Sequence, residues 1–317
     1  MGYLRLNIVV FHLFLISTCL LASCSGQDNG ESPTPIPVVT PPPSSSATNG
    51  DGGGSSTASS TTQDYRLPNI DLSHWKLTLP IGNPTEIEPP EILDYGTNET
   101  VKPFFYNDSI DGSLVFYTYP GATTANSSYS RTELREQMEP GRNDVNWTFA
   151  EGGRIRGTLA VPDISTDADG SKHRTIVMQI HGRLTNEQRD LIGEDDNNAP
   201  PIMKIYWVRG YVRLKSKLLG DLNATDAEAL YTSAWVDDEG HTMNTYVGTS
   251  SFTLEIIASE ARMEVVLNDS ESYVYSGEHM ERWGIFENYF KAGNYLATRD
   301  DGAFSKVKYY TLEVNHD

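Results

Sequence analysis

Arg131-Thr132-Glu133-Leu134-Arg135, Gln179-Ile180-His181 and Tyr289-Phe290-Lys291-Ala292-Gly293-Asn294-Tyr295 are three stretches in which the chemically useful residues fall at every second position. Successive side chains of a β-strand point to opposite faces, so i, i+2 and i+4 share one face. Read as strands, the first shows Arg131, Glu133 and Arg135 together, the second Gln179 and His181, and the third Tyr289, Lys291 and Tyr295. Side by side in one sheet they would make a cationic surface carrying an amide, an imidazole and two phenols. That inventory suits an anionic sugar polymer.

Outward from these stretches, further alternating or β-rich runs are expected as strands at 71–80, 114–119, 153–161, 252–258, 262–267, 272–275 and 307–314. A hairpin is expected over 202–218, turning at Arg209-Gly210. Residues 86–90 read as loop, and the acidic stretch 186–201 reads as one long loop, either a lid over a site or a plain surface excursion. Helical periodicity is confined to short turns near 226–231 and 276–282. Many short strands at regular spacing predict an all-β fold: a jelly-roll sandwich of two antiparallel sheets with a concave groove.

The chain has 317 residues, and its N-terminal fifth reads differently. Residues 1–24 carry an early Arg5 and an apolar run too short to span a membrane, ending Leu21-Ala22-Ser23-Cys24. That ending resembles a lipobox, so a lipoprotein signal with Cys24 as the lipidated residue is expected, an ordinary cleaved signal being the alternative. Ser25 follows the cysteine, where an Asp would signal retention at the inner membrane. Residues 25–63 are rich in Ser, Thr, Pro and Gly and read as a flexible tether. Residues 64–317 form the expected domain. A bacterial outer-membrane or cell-surface lipoprotein follows, or else a secreted or periplasmic protein, touching membrane through the lipid anchor alone. The only other cysteine is Cys19, inside the signal, so thiol, disulfide and Cys-zinc chemistry is not available to the mature domain. The net charge of −19 argues against nucleic acid. It would also repel a polyuronate unless arginines and lysines cluster locally. A monomer is expected.

In a polyuronate each sugar has a C5 proton next to a carboxylate and a glycosidic oxygen on C4. Removing that proton builds charge on the carboxylate, which guanidinium and amide groups can neutralise. A base must take the proton and an acid must reach the leaving oxygen. His181 and one tyrosine are the groups to hand, and neither metal nor cofactor is called for. Each residue alone has an ordinary reading: His181 as a structural histidine, the tyrosines as packing, Arg131-Glu133-Arg135 as a surface ion-pair ladder. The combination in three in-phase strands is what points to chemistry. A lectin on the same fold would need the arginines and aromatics but not Gln179 with His181. A glycoside hydrolase would need two catalytic carboxylates, and Glu133 lies between arginines.

In order and spacing the three segments resemble the signature segments of the alginate lyases of polysaccharide lyase family 7, a resemblance extending over about residues 65–316. It implies a jelly roll and β-elimination on alginate, a polymer of mannuronate and guluronate. By position, it implies that Arg135 and Gln179 neutralise the carboxylate, with Arg131 as a second cationic contact. His181 would take the C5 proton, and Tyr295 would act as the acid, also as base on mannuronate. Tyr289 and Lys291 would line the groove, and Glu133 would orient an arginine. Strand phase alone does not separate Tyr295 from Tyr289. Ile180 between Gln179 and His181 leans toward guluronate-containing blocks. Leu296-Ala297-Thr298 departs from the family's pattern, in which a glutamine often lies two residues beyond the tyrosine. Another polyuronate, such as glucuronan, is the alternative substrate. The acidic 195–198 segment could bind calcium, although a solvated loop is its ordinary reading.

Overall fold

The structure, a computed structural model, describes residue 68, residues 70–124 and residues 126–316. The expected signal, Cys24 and the tether lie outside the described residues.

Two antiparallel sheets stack face to face. The first contains β1 (Trp75–Leu79), β2 (Thr85–Ile87), β5 (Arg131–Glu136), β6 (Trp147–Thr148), β8 (Arg174–Arg183), β9 (Asn198–Val208), β10 (Tyr211–Leu219), β11 (Trp235–Asp237), β12 (His241–Tyr246) and β16 (Glu287–Leu296). The second contains β3 (Phe105–Asn107), β4 (Leu114–Thr118), β7 (Gly153–Ile164), β13 (Phe252–Ser259), β14 (Arg262–Leu267), β15 (Glu271–Ser276) and β17 (Ser305–Asn315). Across the first sheet the order is β11-β10-β9-β8-β16-β5-β1-β2, which brings the three signature strands together as β8-β16-β5. Their sequence order is far from their spatial order, as in a jelly roll.

The alternation read from the sequence becomes the two faces of this sheet. Leu77, Leu134, Ile180, Phe290 and Ala292 are fully buried between the sheets, against Phe116, Ile155, Leu159, Leu254 and Tyr309 from the second. The intervening residues point to the opposite face. Tyr309 ties the layers: its hydroxyl donates to the Val177 carbonyl at 2.5 Å and accepts from the Gly293 N–H at 3.3 Å. The β9–β10 hairpin turns at Arg209 and Gly210, both at positive φ (52° and 87°), as a tight hairpin with right-handed strand twist requires.

Two expectations are corrected. Residues 186–201 are not one loop: α1 (Asn186–Ile192) and the start of β9 occupy most of them. Thr185 and Gln188 form a reciprocal capping box, and Gly193 closes the helix at φ 71°. Thr-x-x-Gln followed by Gly is a start-and-stop signal that the acidic composition obscured. Residues 85–87, partly assigned to loop, form β2 against β1. The short helical turns appear as α2 (Asp226–Ala229) and α3 (Glu278–Trp283).

Candidate active site

Pairing within β8-β16-β5 sets the site. His181 lies opposite Tyr289 and Gln179 opposite Lys291. Lys291 in turn faces Arg135, Gly293 faces Glu133, and Tyr295 faces Arg131. On β1, Lys76 pairs with Arg135 and Thr78 with Glu133. Apart from Gly293, which has none, these side chains share the face away from the core, and Lys76, Thr78, Arg131, Arg135, His181, Tyr289 and Lys291 among them line a cleft of about 600 Å³. Five cations line it (Lys76, Arg131, Arg135, Arg183, Lys291) against three carboxylates (Glu86, Asp144, Asp196). Cations thus outnumber carboxylates along the cleft lining within a chain of net charge −19, the local clustering that the repulsion argument called for.

Glu133 is the hub. Its carboxylate is 2% exposed and accepts from Gln179 Nε2 at 2.5 Å, Lys291 Nζ at 2.6 Å and Arg131 Nη1 at 3.2 Å. Burial raises its pKa, but Lys291 and Arg131 outweigh that and hold it below the usual carboxylate range. Burial, with Arg131 alongside, brings the Lys291 ammonium down to about 8 in spite of Glu133. A buried charge without partners would be costly, and here one anion answers two cations.

His181 donates from Nδ1 to the Gly182 carbonyl at 2.9 Å, since a carbonyl can only accept. In the neutral ring this leaves Nε2 as the bare acceptor. Burial, then the nearby Lys291, pushes the imidazole down to about 3, so it is neutral at ordinary pH. Its ring stacks on Tyr289 with centroids 5.2 Å apart.

The two arginines differ. Arg135 gives donors to the Glu136 carbonyl, the Asn143 carbonyl and Asn146 Oδ1, the last two at 2.8 Å, and its guanidinium lies 4.1 Å from the Tyr289 ring centre. Among the described residues Arg131 donates only to Glu133, and it lies 4.2 Å over the Tyr295 ring. More of the Arg131 fork is therefore open to a ligand. Tyr295 is half-buried, with Tyr129 at its edge, six positions along β16 from Tyr289. Tyr289, His181, Lys291, Arg131 and Arg135 line the cleft; Gln179 and Glu133 lie beneath it, and Tyr295 is not among the lining residues.

Several cleft residues were not singled out from the sequence. Arg183 continues the alternation Gln179, His181, Arg183, and Lys76 alternates with Thr78, so both were within reach of the same phase rule. Asn126 was not, because it comes from a separate loop; its 2.9 Å hydrogen bond to Asp196 joins it to the acidic 195–198 segment, which the sequence had marked only as a lid or a calcium loop.

A family profile described as alginate lyase matches residues 70–316. Among solved structures, alginate lyase A1-II′, a member of polysaccharide lyase family 7, is 30% identical, with a TM-score of 0.61 over 78% of this chain and 97% of that one. The same lyase with a His-to-Asn and a Tyr-to-Phe replacement, in complex with substrate (GGMG), is 29% identical, with a TM-score of 0.60 over 78% and 95%. Alginate lyase PA1167 from Pseudomonas aeruginosa, at 20% identity and a TM-score of 0.58 over 78% and 100%, shares the fold. No curated protein matches. The chain belongs to the alginate lyase family and is a polysaccharide lyase.

Proposed function

We propose that this lyase cleaves alginate by β-elimination, removing the C5 proton and expelling the C4 oxygen to leave an unsaturated uronate. One observation carries the reading: Glu133 gathers Gln179, Lys291 and Arg131 beside an imidazole whose Nε2 is bare. Arg131 and the second N–H of Gln179 would neutralise the sugar carboxylate, and Lys291 adds a positive charge at the same spot. Arg135, whose donors are largely engaged, would chiefly hold Tyr289 and the cleft wall. His181 would take the proton. The relative trapped with substrate had lost one histidine and one tyrosine, as expected if such a pair does the proton transfers.

The two tyrosines suit different geometries. In mannuronate the C5 proton and C4 oxygen lie on one face of the ring; in guluronate, its C5 epimer, they lie on opposite faces. Tyr289 stacks on His181, whereas Tyr295 lies on the far side of Glu133, under the Arg131 guanidinium at 4.2 Å. An acid opposite the base, as elimination from guluronate needs, is better supplied by Tyr295. Ile180 is fully buried, so any lean toward guluronate that it causes would act through packing under His181 rather than by touching sugar.

Incubation with alginate is expected to raise ultraviolet absorbance from the new double bond. A flat trace on alginate and on both homopolymers, with a rise on glucuronan, would transfer the activity to another polyuronate. His181→Ala and Tyr295→Phe should each reduce turnover on guluronate-rich polymer by at least ~100-fold with the fold intact. Near-normal rates in both would show the roles to be misassigned.

We further propose, from residues 1–63 of the sequence, a lipid anchor on Cys24 and a tether that holds the lyase off a bacterial outer membrane or cell surface. Palmitate labelling that persists in Cys24→Ser would contradict the anchor.

A further inference from the structure

The cationic face does not end at His181. One register row crosses six strands: Lys76 faces Arg135, Arg135 faces Lys291, Lys291 faces Gln179, Gln179 faces Lys204, and Lys204 faces Lys215. Five strand spacings make it about 24 Å long. It runs across the strands and puts a cation on all of them but the one bearing Gln179, a layout that fits a polymer with a carboxylate on every sugar.

The two ends of the row differ. From Lys76 to Lys291 it lines the open cleft. Beyond Gln179 its lysines are engaged by the end of β11 and the segment that links it to β12. Asp237 places its carboxylate between Lys204 Nζ at 3.3 Å and Lys217 Nζ at 2.8 Å. Lys215 Nζ donates to the Asp238 carbonyl at 2.5 Å. Both Lys204 and Lys217 retain only about 15% of their side-chain exposure (16% and 15%), although neither belongs to the core. Asp237 thus sits where a uronate carboxylate would sit if the row were open.

We propose that Asp237 is an internal stand-in for a sugar carboxylate, ending the substrate groove beyond Gln179 and thereby limiting how many sugars bind on that side. The proposal rests on the polyuronate reading and adds to it a specificity-determining residue. Asp237 is not a catalytic residue, since it touches two lysines and no reacting atom.

The test is binding, so it does not depend on turnover. Calorimetry with alginate oligomers of increasing length would compare His181→Ala with His181→Ala/Asp237→Asn. In the first, affinity should stop rising at a given length. In the second, it should continue to rise for at least one further sugar, with the longest oligomers bound at least about threefold more tightly as the freed lysines pair with carboxylates. Plateaus at the same length would overturn the proposal. A second variant approaches from the other side. In His181→Ala/Lys217→Gln, oligomer affinity should be unchanged at every length, because Asp237 already occupies that lysine; weaker binding would mean the lysine is open to substrate, and would also overturn it. Failure of the unaltered protein to form unsaturated product from alginate would count against the functional reading instead.

Discussion

At the residue scale, His181 illustrates how environment assigns a role. One hydrogen bond to the Gly182 carbonyl fixes which nitrogen holds the proton, and burial beside Lys291 keeps the ring neutral. An unperturbed histidine would lose its basic form below about pH 6.5. With its pKa lowered to about 3, His181 keeps a bare Nε2 through that range. Lys291 shifts in the direction that matters at the other end: above about 8 it loses its proton and the cleft loses a positive charge. The kcat/KM profile on guluronate-rich alginate is therefore expected to show no fall between about pH 5 and 7 and to decline above about pH 8, mainly through KM. In Lys291→Arg the alkaline decline should move upward, because a guanidinium stays charged. An acid limb centred near pH 6.5 would contradict the neutral-base assignment. The residue types and their phase were legible in the sequence. The Glu133 hub was legible only as an arginine-orienting carboxylate, since its hold on Gln179 and Lys291 requires three strands to meet.

At the element scale, β16 carries the heaviest constraint. It is paired regularly with β5, but against β8 its register shifts between Ala292 and Tyr295, so Gly293 and Asn294 span a bulge. Gly293 sits at φ 141°, where an added Cβ would come within 2.7 Å of the Thr132 carbonyl oxygen. Asn294 faces the core, fully buried. Its amide nitrogen donates to the Phe116 and Ser305 carbonyls, both at 2.9 Å, while its oxygen accepts from Thr175 at 2.7 Å and Ser305 at 2.6 Å. One side chain with all four positions satisfied joins both sheets directly under the site. Asn294→Ala leaves those buried partners unpaired, and a loss of about 3 kcal/mol or more is expected, read as a lower denaturant midpoint at similar slope. A change below about 1 kcal/mol would show that the staple is dispensable. Sequence alone gave Asn294 no role, because its phase pointed inward and its partners lie on three other strands.

At the scale of the whole molecule, the C-terminal strand is fastened to the site from behind. His316 follows β17, and its Nε2 meets the buried Glu136 carboxylate at 2.5 Å. Glu136 also accepts from Trp147 Nε1 at 3.1 Å and from the Phe290 N–H at 2.9 Å, so one carboxylate links β5, β6, β16 and the chain end. Burial lowers the His316 pKa, but the hydrogen bond to Glu136 outweighs it, and the net shift is upward. A histidine with a raised folded pKa contributes stability that is full below its unfolded value and fades as pH rises through the folded one. His316→Gln should therefore cost about 2 kcal/mol near pH 5.5 and progressively less at alkaline pH. A penalty that grows with pH would refute the charged pairing.

The sequence by itself determined most of the longer strands, their two faces, the turn at Arg209-Gly210 and the residue types available for chemistry, because side-chain alternation and turn propensity are local properties; the short strands β2, β3, β6 and β11 carry too few residues to show a period. It also determined the family, through three segments whose order and spacing survive in one dimension. The tertiary structure alone decided which strands are neighbours, and hence that Gln179 meets Lys291, that His181 meets Tyr289 and that Asp237 covers Lys204. Those pairings join residues as much as 112 positions apart (Gln179 and Lys291), and sheet order in a jelly roll follows from the closing of two layers over a shared core rather than from any local pattern.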